Sequence, residues 1–252
     1  AMRRVPGVTI AESSFQALKT EKLFASTEGA FIEQQLVETG AGLEVTAVRN
    51  GEVQKRSYPN SFGRHQGTAG YEFVQDLRLV DNAPLIAEQA VQLLSAEQCP
   101  SDLVTTVILD PTQLALQIHE SCGHPIELDR ALGTEASYAG TSFLTLDKLG
   151  SFRYGSDVVN IVADATVPGG LGTFGFDDEG VPAQRVPIIQ NGIFVNFLTS
   201  RETATTLGQR SNGSMRADGW NRIPLIRMTN INLEPGPWRL EDLIADTDKG
   251  IF

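Results

Sequence analysis

Apolar and polar residues alternate through the first quarter of the chain with the two-residue period of a pleated strand. Val8–Thr27, Ala30–Thr39 and Leu43–Tyr58 read as strands, parted by Glu28-Gly29 and by Gly40-Ala41-Gly42, and Asn50-Gly51 inside the third is a two-residue hairpin signal. Asn60–Gly70 is polar and glycine-rich and reads as a loop. The period then changes: Leu85, Ile86, Ala90, Val91, Leu93 and Leu94 recur at helical spacing across Pro84–Ser95, with Pro84 suited to a first turn. The opening region is the sheet and closing helix of an α+β unit, and a boundary falls near residues 96–102.

Beyond that boundary the pattern is shorter-ranged. Leu103–Leu109 is rich in β-branched residues and predicts a strand that Asp110 ends. Asp110 is placed to cap a helix, with Pro111 at its first position and Gln113 completing a capping-box pattern. Leu114, Ala115 and Ile118 would form that helix's apolar stripe against a sheet, and Pro125 stops or kinks it. Further strands are predicted at Asp157–Thr166, at Val186–Ser200 with a hairpin signal at Asn191-Gly192, and at Pro224–Leu233. Pro168–Gly175 is dense in glycine but has no Lys-Ser/Thr ending, so it reads as turns and close backbone approach rather than a phosphate cradle. Arg201–Leu207 predicts a short helix stopped by Gly208. The fold class is α+β, β-rich, with a motif-bearing helix packed on a sheet.

That helix leads into His119-Glu120-Ser121-Cys122-Gly123-His124, two imidazoles bracketing a carboxylate. Such a set suits a divalent metal and its activated water, but the histidines stand five residues apart rather than the four of the common metalloprotease helix. At about 100° per residue their rings would lie roughly 140° apart on an ideal helix, too far to share an ion. A π-type turn with an i to i+5 repeat would bring them together, and Gly123 would ease the distortion. Glu127 and Asp129 either orient the histidines by accepting their second N–H or stand as solvated helix-end carboxylates. Cys122 reads as a small buried side chain and His65 as solvent-facing. Arg216, Trp220, Arg222 and Arg227 either hold a peptide carboxylate or backbone, or form salt bridges that set local structure.

Charge removes some classes of partner. With 20 Lys and Arg against 31 Asp and Glu the net charge is −11, the opposite of the basic footprint that phosphate backbones require. The hydrophobic fraction of 41% is that of an ordinary globular chain. Two cysteines make no disulfide framework, and neither a signal peptide nor a membrane-length apolar run is present. No nucleic acid, no membrane and a cytoplasmic setting are expected.

Ile118–Asp129, I-H-E-S-C-G-H-P-I-E-L-D, resembles the HExxxH signature of the TldD/PmbA family of zinc metallopeptidases, once called modulators of DNA gyrase. Further blocks follow in the family's order: Asp177-Asp178-Glu179-Gly180, Asn191-Gly192, Ser200-Arg201-Glu202, Arg216, Pro224, Arg227-Met228, Asn230 and Pro235-Gly236. The resemblance covers most of residues 80–250. It implies one zinc ion bound by His119 and His124, with Glu120 as the catalytic acid/base. It also implies a third ligand, a cysteine far downstream that neither Cys99 nor Cys122 matches. The chain then corresponds to a truncated two-domain architecture: residues 1–98 from an N-terminal α+β domain and 99–252 from the first part of a C-terminal, β-rich metallopeptidase domain. An incomplete metal site and an inactive fragment follow as expectations. The family further implies peptide or unfolded-protein substrates, and a homodimer or a pairing with a PmbA-like partner subunit. The competing classes are a non-catalytic binding or assembly subunit of such a complex, and a metal hydrolase acting on a small amide.

Overall fold

Three strands open the chain in one sheet: β1 (Val8–Ala25), β2 (Phe31–Arg49) and β3 (Glu52–Tyr58), in that order, with a short β4 (His65–Gly67) also paired to β2. The computed structural model describes residues 1–252 and divides into two compact units. The first comprises Ala1–Lys19, Val37–Leu114 and Trp238–Phe252; the second comprises Thr20–Leu36 and Ala115–Pro237.

In the first unit β2 and β3 form an antiparallel hairpin closed at Asn50-Gly51, whose φ values of 52° and 86° are those of the tight turn the sequence predicts. The expected break at Gly40-Ala41-Gly42 is absent, and β2 runs straight through it. These glycines serve close approach instead of a turn. A Cβ on Gly40 would stand 2.7 Å from the His65 carbonyl, and one on Gly42 would stand 2.0 Å from that of Gly63. The Asn60–Gly70 loop accordingly contains β4, antiparallel to this glycine stretch.

A short helix α1 (Tyr71–Asp76) precedes α2 (Leu79–Leu93). The latter buries Ala83, Ile86, Ala87 and Ala90 at helical spacing, and Ile86, Ala87 and Ala90 pack with alternate residues Val45 and Ala47 of β2. Helix α2 starts earlier than predicted, so Pro84 lies inside it. The hydrogen bond that proline cannot donate would have gone to Val80, a residue 78% exposed, where water can serve the carbonyl. The Leu103–Leu109 strand shrinks to β5 (Thr106–Val107), because the only ladder it finds is the two-residue C-terminal strand Gly250–Ile251. Val104, outside that ladder, is 99% exposed.

Helix α3 (Pro111–Ile118) starts where predicted, and Asp110 caps it by accepting Thr112 N at 2.8 Å. Its apolar stripe is not buried against a sheet: Ala115 is exposed, and Ile118 alone of the three packs on the core of the second unit. After the metal-motif turn come α4 (Leu128–Ala131), β6 (Ile161–Asp164), β7 (Arg185–Gln190), β8 (Ile193–Phe194), β9 (Met215–Arg216), β10 (Leu225–Ile226) and β11 (Asn230–Leu233). An antiparallel sheet of order β11-β6-β7-β8 holds the second core, with Asn191-Gly192 turning β7 into β8. Phe194, Phe197, Ile126, Leu128, Leu144, Ile188, Ile189 and Leu198 are fully buried in it.

The predicted Pro224–Leu233 strand is two strands with different partners, β10 on β9 and β11 on β6. At their junction Gly172 approaches so closely that a Cβ would lie 2.5 Å from the Thr229 carbonyl carbon, while Asn230 accepts Gly172 N at 2.8 Å. The glycine run at 168–175 thus serves close approach, as expected. The short helix Thr203–Leu207 ends at Gly208 with φ 63°. No helix is long and apolar enough to cross a membrane.

The tip of the β1–β2 ribbon belongs to the second unit and is held there by the Asp177–Gly180 block. Lys22 Nζ meets Asp178 Oδ1 at 3.0 Å, Gln34 Oε1 accepts Gly175 N and Phe176 N, and Glu28 pairs with Arg201 at 2.8 Å. Phe24 lies against Gly180, where a Cβ would stand 2.7 Å from its ring.

Candidate metal centre

Between α3 and Pro125 the helix widens. Residues His119–Gly123 form a π-type turn, and His124 N donates to His119 O at 3.1 Å, the i to i+5 bond that five-residue spacing demands. The irregularity predicted from the sequence is therefore present. Gly123 contributes through packing: a Cβ there would stand 1.9 Å from Met228 Sδ, so the widened turn can lie on Met228. Tyr154 donates its hydroxyl to Ser121 O at 2.9 Å, serving a carbonyl within the turn.

The consequence is convergence. The two imidazoles meet edge to face with centroids 4.7 Å apart, and their Nε2 atoms are 3.1 Å from each other. Glu120 Oε1 lies 4.0 Å from His119 Nε2, and one ligand atom from each of His119, Glu120 and His124 falls within 4.8 Å of the others. Two nitrogens bound tetrahedrally to zinc at about 2.0–2.1 Å stand about 3.3–3.4 Å apart. The observed separation is within a few tenths of an ångström of that. Burial first, and the adjacent His124 second, lower the pKa of His119 against the opposing pull of Glu120, which favours the neutral, ligating form of the ring.

The far side of His124 is braced. Its Nδ1 lies 3.2 Å from Glu127 Oε2, and Glu127 is completely buried. Arg130 donates to the same oxygen from Nη2 at 2.9 Å and from Nε at 3.2 Å, and anchors its other end on Ala139 O at 2.8 Å. Arg130 Nη2 also stands 3.3 Å from Nδ1, but a guanidinium cannot accept, so a proton on Nδ1 can be satisfied only by Glu127. That tautomer leaves the Nε2 lone pair facing His119. Burial raises the pKa of Glu127 despite His124 and Arg130. The backbone here is fixed by Leu198, which donates to Ile126 O at 2.8 Å and accepts from Leu128 N at 3.1 Å.

Of the two acids weighed as histidine partners, Glu127 reaches one and Asp129 does not. Asp129 is spent on backbone amides, accepting Ile226 N at 3.1 Å and Arg130 N at 2.8 Å. Cys122 is fully buried, its thiol pushed up to about 12 by burial, and it is not among the converging donors. His65 is exposed, its ring 5.4 Å from that of Phe73. Arg216, Arg222 and Arg227 line one surface pocket, and Trp220 is 98% exposed and not among its lining residues. Arg130 and Tyr154 escaped the sequence reading. The i, i+3 spacing of Glu127 and Arg130 is a helical ion-pair signal that could have found the first; nothing local marks Tyr154.

Two family models match the chain. The PmbA/TldA metallopeptidase central domain matches residues 1–96, and the PmbA/TldA metallopeptidase C-terminal domain matches residues 103–252. A metalloprotease of Methanocaldococcus jannaschii is 36% identical over 95% of this chain and 49% of its own length. A zinc metalloprotease TldD homolog of Saccharolobus solfataricus is 33% identical over 58% of this chain and 31% of its own. Neither relative is spanned beyond about half its length. A crystal structure of a Thermotoga maritima protein, described as a candidate modulator of a DNA gyrase, shares the fold with TM-score 0.76 at 22% identity, over 99% of this chain and 53% of that one.

Proposed function

The chain belongs to the PmbA/TldD metallopeptidase family, and from that premise we propose that it carries two metal ligands and the acid/base of a zinc-dependent peptidase. His119 and His124 would hold the ion through Nε2, with Glu120 as the proton-transferring group. The observation behind this reading is the approach of the two Nε2 atoms to 3.1 Å across a π-type turn. A distortion that only faces two ring nitrogens at each other gains a purpose when a cation lies between them. A relative named as a zinc metalloprotease supports the choice of metal.

An ion held by His119 and His124 would supply Lewis acidity toward a water and a peptide carbonyl. Glu120 is exposed on the turn that carries both rings, so its carboxylate would be free to accept a proton from an attacking water and return one to the leaving amine nitrogen. Glu127 accepts the Nδ1 proton of His124 and keeps the ring aimed, while Arg130 holds Glu127. This segment supplies two ligands, and the family pattern draws a third from a cysteine further downstream. The substrate class is a peptide or an unfolded protein segment. The working assembly is a dimer, with itself or with a PmbA-like subunit, in the cytoplasm. The alternative of a non-catalytic assembly subunit offers no use for the converging rings.

The test is metal analysis and peptide cleavage by the full-length gene product. One zinc per subunit, lost on His119→Ala, together with cleavage abolished by Glu120→Gln while zinc is retained, is the expected pattern. Unchanged metal content in His119→Ala, or full turnover in Glu120→Gln, overturns it. Glu127→Ala should weaken zinc binding by about 10–100-fold in a chelator competition; unchanged affinity would remove Glu127 from the assignment.

A further inference from the structure

A second concentration of chemistry lies beside the metal turn and has no part in the reaction above. Arg216, Arg222 and Arg227 line a surface pocket of about 690 Å³ in the second unit, with Asp218 the one carboxylate on its wall. In a chain of net charge −11 a pocket with three guanidiniums stands out from its surroundings. Two of the three are held in place by the backbone: Arg216 Nη2 donates to Met228 O at 2.7 Å and Arg227 Nη1 to Ile226 O at 2.8 Å, with Glu135 3.7 Å from Arg227 Nη2. Arg222 is exposed and its guanidinium forms no ion pair. The remaining wall is Asn221 together with the apolar Ala217, Leu225 and Ile223, the last 86% exposed. Met228 connects this pocket to the metal turn, since its carbonyl takes the Arg216 bond and its sulfur occupies the space that Gly123 leaves open.

Guanidinium forks match planar carboxylates, and an apolar wall next to them suits a hydrocarbon side chain. We infer that this pocket captures the C-terminal carboxylate of a peptide whose last residue is apolar, fixing one end of the chain beside the metal turn. The identification of the ligand as a peptide rests on the peptidase reading; the capture of a carboxylate by the arginines does not. Arg222 is the arm free to close on the anion, and Arg216 and Arg227 form the preset floor.

The experiment is fluorescence anisotropy on the full-length protein after metal removal, with a labelled hexapeptide ending in leucine, prepared as free acid and as C-terminal amide. The free acid should bind about tenfold more tightly than the amide. Arg222→Glu should erase that preference at unchanged Tm, and Arg222→Lys should keep part of it. Equal affinity for acid and amide, discrimination that survives Arg222→Glu, or displacement by inorganic phosphate at concentrations equal to the peptide's own Kd would each overturn the inference. Because binding is read without metal, a protein that cleaves no peptide yet prefers the free acid would sink the peptidase reading and leave the pocket standing.

Discussion

The two units solve the problem of backbone hydrogen bonding in opposite ways. In the first, the core is small and regular: Val45 and Ala47 on a strand meet Ile86, Ala87 and Ala90 on a helix, and the ladders and the helix satisfy their own amides. In the second, large residues such as Ile126, Leu144, Phe197 and Leu198 are fully buried although they lie outside any strand or helix. There isolated backbone pairs such as Leu198 N to Ile126 O are supplemented by buried side chains that accept several amides each. Asp177 accepts Glu179 N, Val181 N and Met215 N; Asn212 accepts Thr199 N and donates to Phe197 O; Asp129 takes Ile226 N and Arg130 N. A backbone held by side chains need not be periodic. That freedom lets a widened turn with five-residue spacing persist beside a packed core.

If this contrast is right, removing one such acid should hurt more than removing a larger apolar side chain from the regular unit. Asp177→Ala leaves three backbone donors unpaired and should cost about 3–5 kcal/mol in urea unfolding. A loss below about 1 kcal/mol would mean that water replaces the carboxylate, and the contrast would fail. In the first unit Ile86→Ala removes packing only and should cost about 2–4 kcal/mol, the spread reflecting how far α2 can settle onto β2. A larger loss there than for Asp177→Ala would invert the comparison.

The same contrast governs what the sequence made legible. Alternation located the strands of the opening sheet, Asn50-Gly51 and Asn191-Gly192 located the β2–β3 and β7–β8 turns, and the five-residue gap between His119 and His124 called for a π-type turn. Each of these is a local rule acting on neighbours in sequence. Gly40 and Gly42 misled because their reason is distant: the carbonyls of His65 and Gly63 press where a Cβ would be. Pro84 misled because water, absent from any sequence pattern, tolerates its missing donor. Pro224–Leu233 reads as one strand by propensity and is two because Asn230 is committed to Gly172 and Asp164. At the metal centre the ligands were legible, and the Arg130 and Tyr154 contacts that fix the turn were not, since they depend on which loops return to it.

Gly42→Ala sharpens the boundary between the two behaviours, because it imposes a steric rather than a polar demand inside a regular strand. The new Cβ meets the Gly63–Arg64 backbone, Gly63 O at 2.0 Å and Arg64 Cα at 2.7 Å, so no side chain can turn away to relieve it. A loss of about 1–3 kcal/mol is expected, with hydrogen exchange accelerated first at β4. Unchanged protection at His65–Gly67 would show that the glycine is there for some other reason.

The smallest effect belongs to the ribbon tip, Thr20–Leu36, a part of the second unit. The Arg201 hydrogen bond, and then its charge, hold the Glu28 carboxyl below the usual carboxylate range. A depressed folded-state value gives stability that is present above the ordinary carboxylate range and lost as pH falls through the lowered one. Both partners are exposed, so the pair is screened and its contribution is slight. Thermal unfolding of wild type and Glu28→Gln should therefore differ most near neutral pH and low salt, and converge both in acid and in high salt. A gap that widens on acidification would place the anchoring of the tip elsewhere, on Phe24 against Gly180 and on Gln34, whose neutral contacts neither acid nor salt can loosen.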